Sequence, residues 1–295
     1  MNRPETSNSL EPLLIFSRGR TGTTLLMQLL GTSPQIIFDR VYPFEVRYLT
    51  YLLRWAQMLG QELEDDGPWN ATVNAGAPLQ LLGPLPHPKA KFWDGQELWP
   101  RCFVAAWREF SELVIARADV NGSTESSSLY YAEKVPPWAL DLLKKAGMFY
   151  RVIMLVRDPR DVFLSIAAFD KKRGFPGFDR RADDDDWTFA KRFIQEYQCR
   201  FKILLEEEAN PSNVVVTYDR LALNLTNEAQ RLSQWLGVKL APDAIEKQIS
   251  QFAQHMTSKT VPESIGRWRR ELPPELNEFF LRELGVWLRH FGYET

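Results

Sequence analysis

The residues most able to do chemistry lie in Ser17-Arg18-Gly19-Arg20-Thr21-Gly22-Thr23-Thr24. Two glycines, two arginines and several hydroxyls within eight positions are the makings of an anion cradle. Glycine lets backbone N–H groups approach an oxyanion closely, and arginine supplies fixed charge in a forked geometry. The flanks agree with this reading. Leu13-Leu14-Ile15-Phe16 is an apolar run of β type, and Leu25, Leu26, Leu29 and Leu30 repeat with helical spacing. A strand, a tight loop and a helix start would aim the positive end of a helix dipole at the bound anion.

A second cluster is Arg157-Asp158-Pro159-Arg160-Asp161-Val162-Phe163-Leu164-Ser165. Arg157 follows the apolar run 150–156, which reads as a strand buried on both faces. Asp158 and Pro159 suit the N-cap and first position of a helix. Ser165 falls about two turns into it, so cation and hydroxyl can meet on one anion above the sheet.

The nucleoside-triphosphate loop GxxxxGK[ST] is the first comparison, but Thr23 stands where that motif needs lysine. Basic residue, Thr-Gly-Thr-Thr, and then the Arg157–Ser165 stretch instead resemble the two anion elements of sulfotransferases that use 3′-phosphoadenosine 5′-phosphosulfate (PAPS). The resemblance runs from about Leu13 to Trp268. It is strongest toward the tyrosylprotein-type and bacterial carbohydrate-type members, through the Arg20 loop and Glu133-Lys134-Val135-Pro136.

The resemblance implies that Arg18, Gly19, Arg20, Thr21, Gly22, Thr23 and Thr24 hold the 5′-phosphosulfate. It gives Arg157 and Ser165 to the 3′-phosphate and Tyr218 to the neighbourhood of the adenine. It gives Gly266, Arg267, Trp268 and Arg269 to a late loop that closes over the donor. Arg20 and Lys134 would stabilise the leaving group; PAP would be the product, and no metal would be needed. Leu25 stands where the family often carries a stacking Trp.

A general base is required for the acceptor hydroxyl. Glu45 is the first candidate, on the segment where tyrosylprotein-type members carry a catalytic Glu. An ungapped count from Arg20 reaches Arg40 instead, so Glu45 requires an insertion. A carboxylate at a helix start, placed there for the dipole, is the alternative reading. Asp39, His87 and Glu133 are the other candidates for the base. The acceptor is a hydroxyl of a carbohydrate, a peptidyl tyrosine, a lipid or a natural product. A P-loop phosphotransferase, with Val214–Asp219 as its metal-binding strand, and a non-catalytic nucleotide- or glycan-binding module are the rival readings.

The elements that must position these residues follow from pattern. Apolar runs at 13–16, 36–38, 130–135, 150–156 and 214–218 alternate with helical stretches. That order predicts an α/β, P-loop-like three-layer fold: a central parallel sheet flanked by helices. Helices are expected at 43–59, 97–118, 187–208, 226–236, 243–253 and 274–291, with a loose tail over 1–11 and a Gly/Pro loop over 60–95. Ligands of such sheets bind beyond the carboxyl ends of the strands, where Arg20, Lys134, Arg157 and Tyr218 all fall.

One domain is expected from 295 residues with no dividing linker. The net charge of −2 argues against nucleic acid as a partner. Two cysteines, Cys102 and Cys199, read as free thiols. No segment reaches a membrane span, and without a signal peptide the sequons at Asn70, Asn121 and Asn224 read as coincidence, so the expected location is cytoplasmic. His87, His255 and His290 lack metal-ligand spacing.

Overall fold

The computed structural model describes residues 10–60, 94–120, 129–246, 257–258 and 260–295. Its strands are β1 (Leu10–Phe16), β2 (Ile36–Ile37), β3 (Leu129–Val135), β4 (Arg151–Val156) and β5 (Val214–Thr217). All pair in parallel, in the order β2-β3-β1-β4-β5. The helices are α1 (Thr23–Leu30), α2 (Tyr48–Gln57), α3 (Gly95–Val120), α4 (Pro137–Lys145), α5 (Pro159–Arg173), α6 (Asp186–Glu208), α7 (Tyr218–Leu223), α8 (Leu225–Leu236), α9 (Asp243–Glu246), α10 (Trp268–Glu271) and α11 (Pro274–His290).

Strand alternation splits the interior into two cores. Leu14, Phe16, Val152, Met154 and Val156 face one side, under α2, α3, α5, α6 and α11. Leu13, Ile15, Ile153 and Leu155 face the other, under α1 and α8. Helices therefore cover both faces, as the continuous apolar runs require. The α/β three-layer expectation holds. Among the described residues no helix is long and apolar enough to cross a membrane.

Several boundaries differ from the sequence reading, each for a physical reason. Leu10 and Glu11 belong to β1 rather than to a tail, paired with Leu129 and Tyr130 of β3; Glu11 accepts a hydrogen bond from Arg151 at 2.5 Å. The helix expected from Pro43 starts only at Tyr48. Its capping acceptor is not local. The Glu133 carboxylate on β3 takes the Leu49 and Thr50 N–H groups, each at 2.9 Å. A cap from a distant strand leaves no mark near position 43. The loop over 60–95 and the sites Asn70, His87, Asn121 and His255 lie almost wholly outside the described residues, as does the continuation of the expected 243–253 helix beyond Glu246.

Asp158 does cap α5, accepting from Arg160 N at 2.9 Å, with Pro159 opening the helix. Nothing in the residue pattern singles out Arg160, yet its side chain is fully buried. It grips Asp158 twice, at 3.0 and 2.8 Å, reaches Asn277 and the Glu294 carbonyl, and lies 3.5 Å over the Trp268 ring. Truncation would strand the Asp158 charge and remove one tie to the C-terminal segment. Arg160→Ala should therefore cost about 3–5 kcal/mol in urea unfolding; a cost under about 1 kcal/mol would show that the network is not structural.

Candidate active site

Several segments meet at the carboxyl edge of the sheet, around a cavity of about 380 Å³. The β1–α1 loop contributes Gly19, Arg20, Gly22, Thr23 and Thr24. β3 and the segment before α2 contribute Lys134, Tyr42, Pro43 and Glu45. Arg157, Ser165 and Phe169 come from the end of β4 and from α5, and Tyr218 and Ser264 close the remaining side.

The loop is bent by two left-handed residues. Gly22 has φ +102°, and a Cβ there would lie 2.3 Å from the Tyr218 ring. That glycine is needed both for its dihedral and for the close approach. Arg20 has φ +70°, rare for a residue with a side chain. Its backbone is held from outside: Arg157 Nη1 donates to the Arg20 carbonyl at 3.0 Å. The Arg20 guanidinium lies 4.2 Å over the Phe169 ring and donates from Nε to Ser165 Oγ at 3.3 Å. Burial, and then the neighbouring Arg157, lower its pKa to about 10, which leaves it charged at neutral pH.

Arg157 is 5% exposed. Besides Arg20 it donates to the Ser264 carbonyl at 2.6 Å and lies 4.3 Å over the Tyr218 ring. Among the described residues its Nε has no partner. Lys134 donates to the Pro43 carbonyl at 2.8 Å and approaches Glu45 Oε1 at 3.4 Å. Burial lowers its pKa, and Glu45 opposes that shift.

The sequence-nominated residues are not all together. Arg18 is turned behind the loop, where it binds Glu196 at 2.6 Å and the Phe178 carbonyl at 3.2 Å, and lies over the Phe193 ring. Thr21 is buried and does not line the cavity. Gly266, Arg267, Trp268 and Arg269 sit behind its wall. The Gly266 and Trp268 N–H groups are taken by Asp161, Arg267 pairs with Glu271, and Arg269 with Glu294. Carboxylates hold five of these six away from the cavity lining, whereas Thr21 Oγ1 is buried without a partner among the described residues.

Glu45 lines the cavity and is the only carboxylate among its described lining residues. It is not at a helix start, so the dipole explanation for it lapses. Asp39 accepts from Val41 N and lies outside the cavity lining. Glu133 is occupied by α2, Thr50 and the Tyr131 hydroxyl.

Sequence reasoning missed Tyr42, Phe169, Phe178 and Ser264 as lining residues. Phe169 was within reach: it is one helical turn beyond Ser165, on the same face. Phe178, at φ +53° in a Gly/Pro loop, had no periodic signal.

The site suits an anionic ligand. Three cations and the hydroxyls of Thr23, Thr24 and Ser165 line it. Among the described residues the start of α1 has no side-chain cap and no acid in its first turn, so none of them neutralises the positive end of the helix there.

A family model described as the sulfotransferase family matches residues 12–242. The chain belongs to the sulfotransferase family. Among solved structures, a sulfotransferase domain from the curacin biosynthetic pathway superposes with a TM-score of 0.51 at 15% identity, covering 98% of this chain and 100% of that one. A Mycobacterium avium sulfotransferase gives 0.48 at 13% identity, over 98% and 79% of the two chains. A mouse sulfotransferase complexed with PAP gives 0.47 at 12%, over 95% and 85%. No curated protein matches the chain. The curacin-pathway likeness supports the fold, and the family supplies the chemical context for the cavity.

Next to Tyr218, the Asp219 carboxylate has a buried Oδ1 without a partner among the described residues. Burial raises its pKa from 3.8 to about 6; Arg157 opposes the shift, while Asp161 and Asp158 add to it. A carboxyl with a raised folded-state pKa costs stability once it ionises. The cost is absent below about pH 4 and grows as pH rises through about 6. Asp219→Asn should therefore stabilise the fold at pH 8, by up to about 3 kcal/mol, with the gain gone at pH 4. A gain equal at both pH values would show that charge is not the cause.

Proposed function

We propose that this chain transfers a sulfuryl group from PAPS to an acceptor hydroxyl. The observation that carries the reading is the convergence of Arg20, Lys134 and Arg157 with one carboxylate, Glu45, in a single cavity at the ends of three neighbouring strands.

PAPS supplies a sulfuryl group whose bond to the bridging phosphate oxygen breaks as the acceptor oxygen attacks in line, leaving PAP. The protein's part is positioning and fixed charge, as in phosphoryl transfer. Arg20 and Lys134 stabilise the negative charge that grows on the bridging oxygen. Thr23, Thr24 and the start of α1 hold the 5′ end, and Arg157 and Ser165 hold the second anion. Tyr218 and Leu25 form a wall for the adenine. Glu45 takes the acceptor's proton, and Lys134 holds it in place. The cationic role of a metal falls to side chains. The acceptor hydroxyl belongs to a carbohydrate, a peptidyl tyrosine, a lipid or a natural product.

Labelled PAPS incubated with pools of these acceptors should yield labelled product. With the acceptor so found, Glu45→Gln should lower kcat by roughly 10²-fold or more and leave PAP affinity and melting temperature nearly unchanged. Near-normal kcat in this variant would remove Glu45 from the mechanism; no label transferred to any pool would defeat the reading as a whole.

A further inference from the structure

The segment 260–268 forms one wall of the cavity through Val261 and Ser264. It is tied down from behind. Asp161, 1% exposed and outside the cavity lining, accepts the Gly266 N–H on Oδ2 at 2.6 Å and the Trp268 N–H on Oδ1 at 3.1 Å. Gly266 reaches this contact in a left-handed turn, φ +68°. Its neighbours in the wall face the other way: Ser264 Oγ meets the Tyr218 hydroxyl at 2.8 Å and the Ser264 carbonyl meets Arg157 at 2.6 Å. Thr257 Oγ1 lies 3.3 Å from Ser165 Oγ and 3.3 Å from Arg267 Nη1.

Asp161 and Ser165 are one turn apart on α5. The helix that presents a hydroxyl to the cavity therefore also anchors the wall 260–268, so the spacing of the two is indexed to a single rigid element. Both carboxylate oxygens are used on backbone amides, a pairing with charge-assisted strength. It stands behind the wall, where a ligand in the cavity does not displace it.

We infer that Asp161 is the positioning residue that sets the wall 260–268 at the distance from Ser165 and Arg157 that grips the donor's second phosphate. The inference rests on the donor reading above. The amides of Gly266 and Trp268 serve this anchor rather than the ligand, and the segment contributes to binding through Ser264 and Val261.

The test is calorimetric titration of PAP into the full-length wild type, Asp161→Ala and Asp161→Asn, with melting temperature and amide hydrogen exchange over 260–268 measured alongside. The Ala variant should bind PAP at least tenfold more weakly and exchange faster over 260–268. Its KM for PAPS should rise by a similar factor, with kcat at saturating donor within about threefold of wild type. Asn keeps one acceptor oxygen, so its affinity should fall between the two. PAP affinity within twofold of wild type in a folded Ala variant would overturn the proposal. If the Ala variant does not fold, the Asn variant decides: wild-type affinity overturns the proposal, and a loss of about threefold or more upholds it. Failure of the wild type itself to bind PAP would instead defeat the donor reading, and the proposal with it.

Discussion

The site depends on the Arg157 guanidinium and its two backbone partners. One Nη holds the Arg20 carbonyl and the other the Ser264 carbonyl, while the plane lies over Tyr218. Three segments far apart in sequence are pinned by one side chain. Among the described residues its hydrogen-bond partners are neutral carbonyls, so no carboxylate in direct contact cancels its charge there. A forked, planar cation can do this; lysine, a point charge on a flexible stem, cannot span both carbonyls in a fixed geometry.

That arrangement has a cost, visible around it. Arg20 is held left-handed and beside a second arginine, and its pKa is lowered to about 10. Burial lowers the pKa of Lys134 as well. Fixed cations crowded in a half-enclosed space repel one another, and an anionic donor would relieve that repulsion on entry. Strain of this kind persists where the surrounding packing over-determines it. Here Phe169 beneath Arg20, Tyr218 against Gly22 and Phe178 against Gly19 supply that packing.

Much of this was legible in the sequence because it is local. The run 13–16, the glycine loop and the leucines after it specify strand, loop and helix by adjacency, and Asp158-Pro159 marks a helix start with its own side chain. What depends on distant partners was not legible. The start of α2 is set by Glu133, from a strand more than eighty residues later in the chain, so Pro43 misled. Arg18 and Arg20 are two residues apart in one loop and look alike on paper. Glu196, on α6, draws the first behind the loop, while Phe169 and Ser165 keep the second in the cavity. Glu45, whose register in sequence required an insertion, sits beside Lys134 once the segment before α2 is extended.

The central claim is that the cavity holds two separate anions, one at the Arg20 loop and one at Arg157 and Ser165. Calorimetric titration of the wild-type chain with PAP, ADP and ATP tests it most directly. PAP and ADP are isomers that each carry two phosphates, the second of them at the 3′ position in PAP and at the 5′ end in ADP, and ATP carries a third at the 5′ end. The account predicts PAP binding at least tenfold tighter than ADP, with ATP no tighter than ADP. Equal affinity for PAP and ADP, or a preference for ATP, would contradict it.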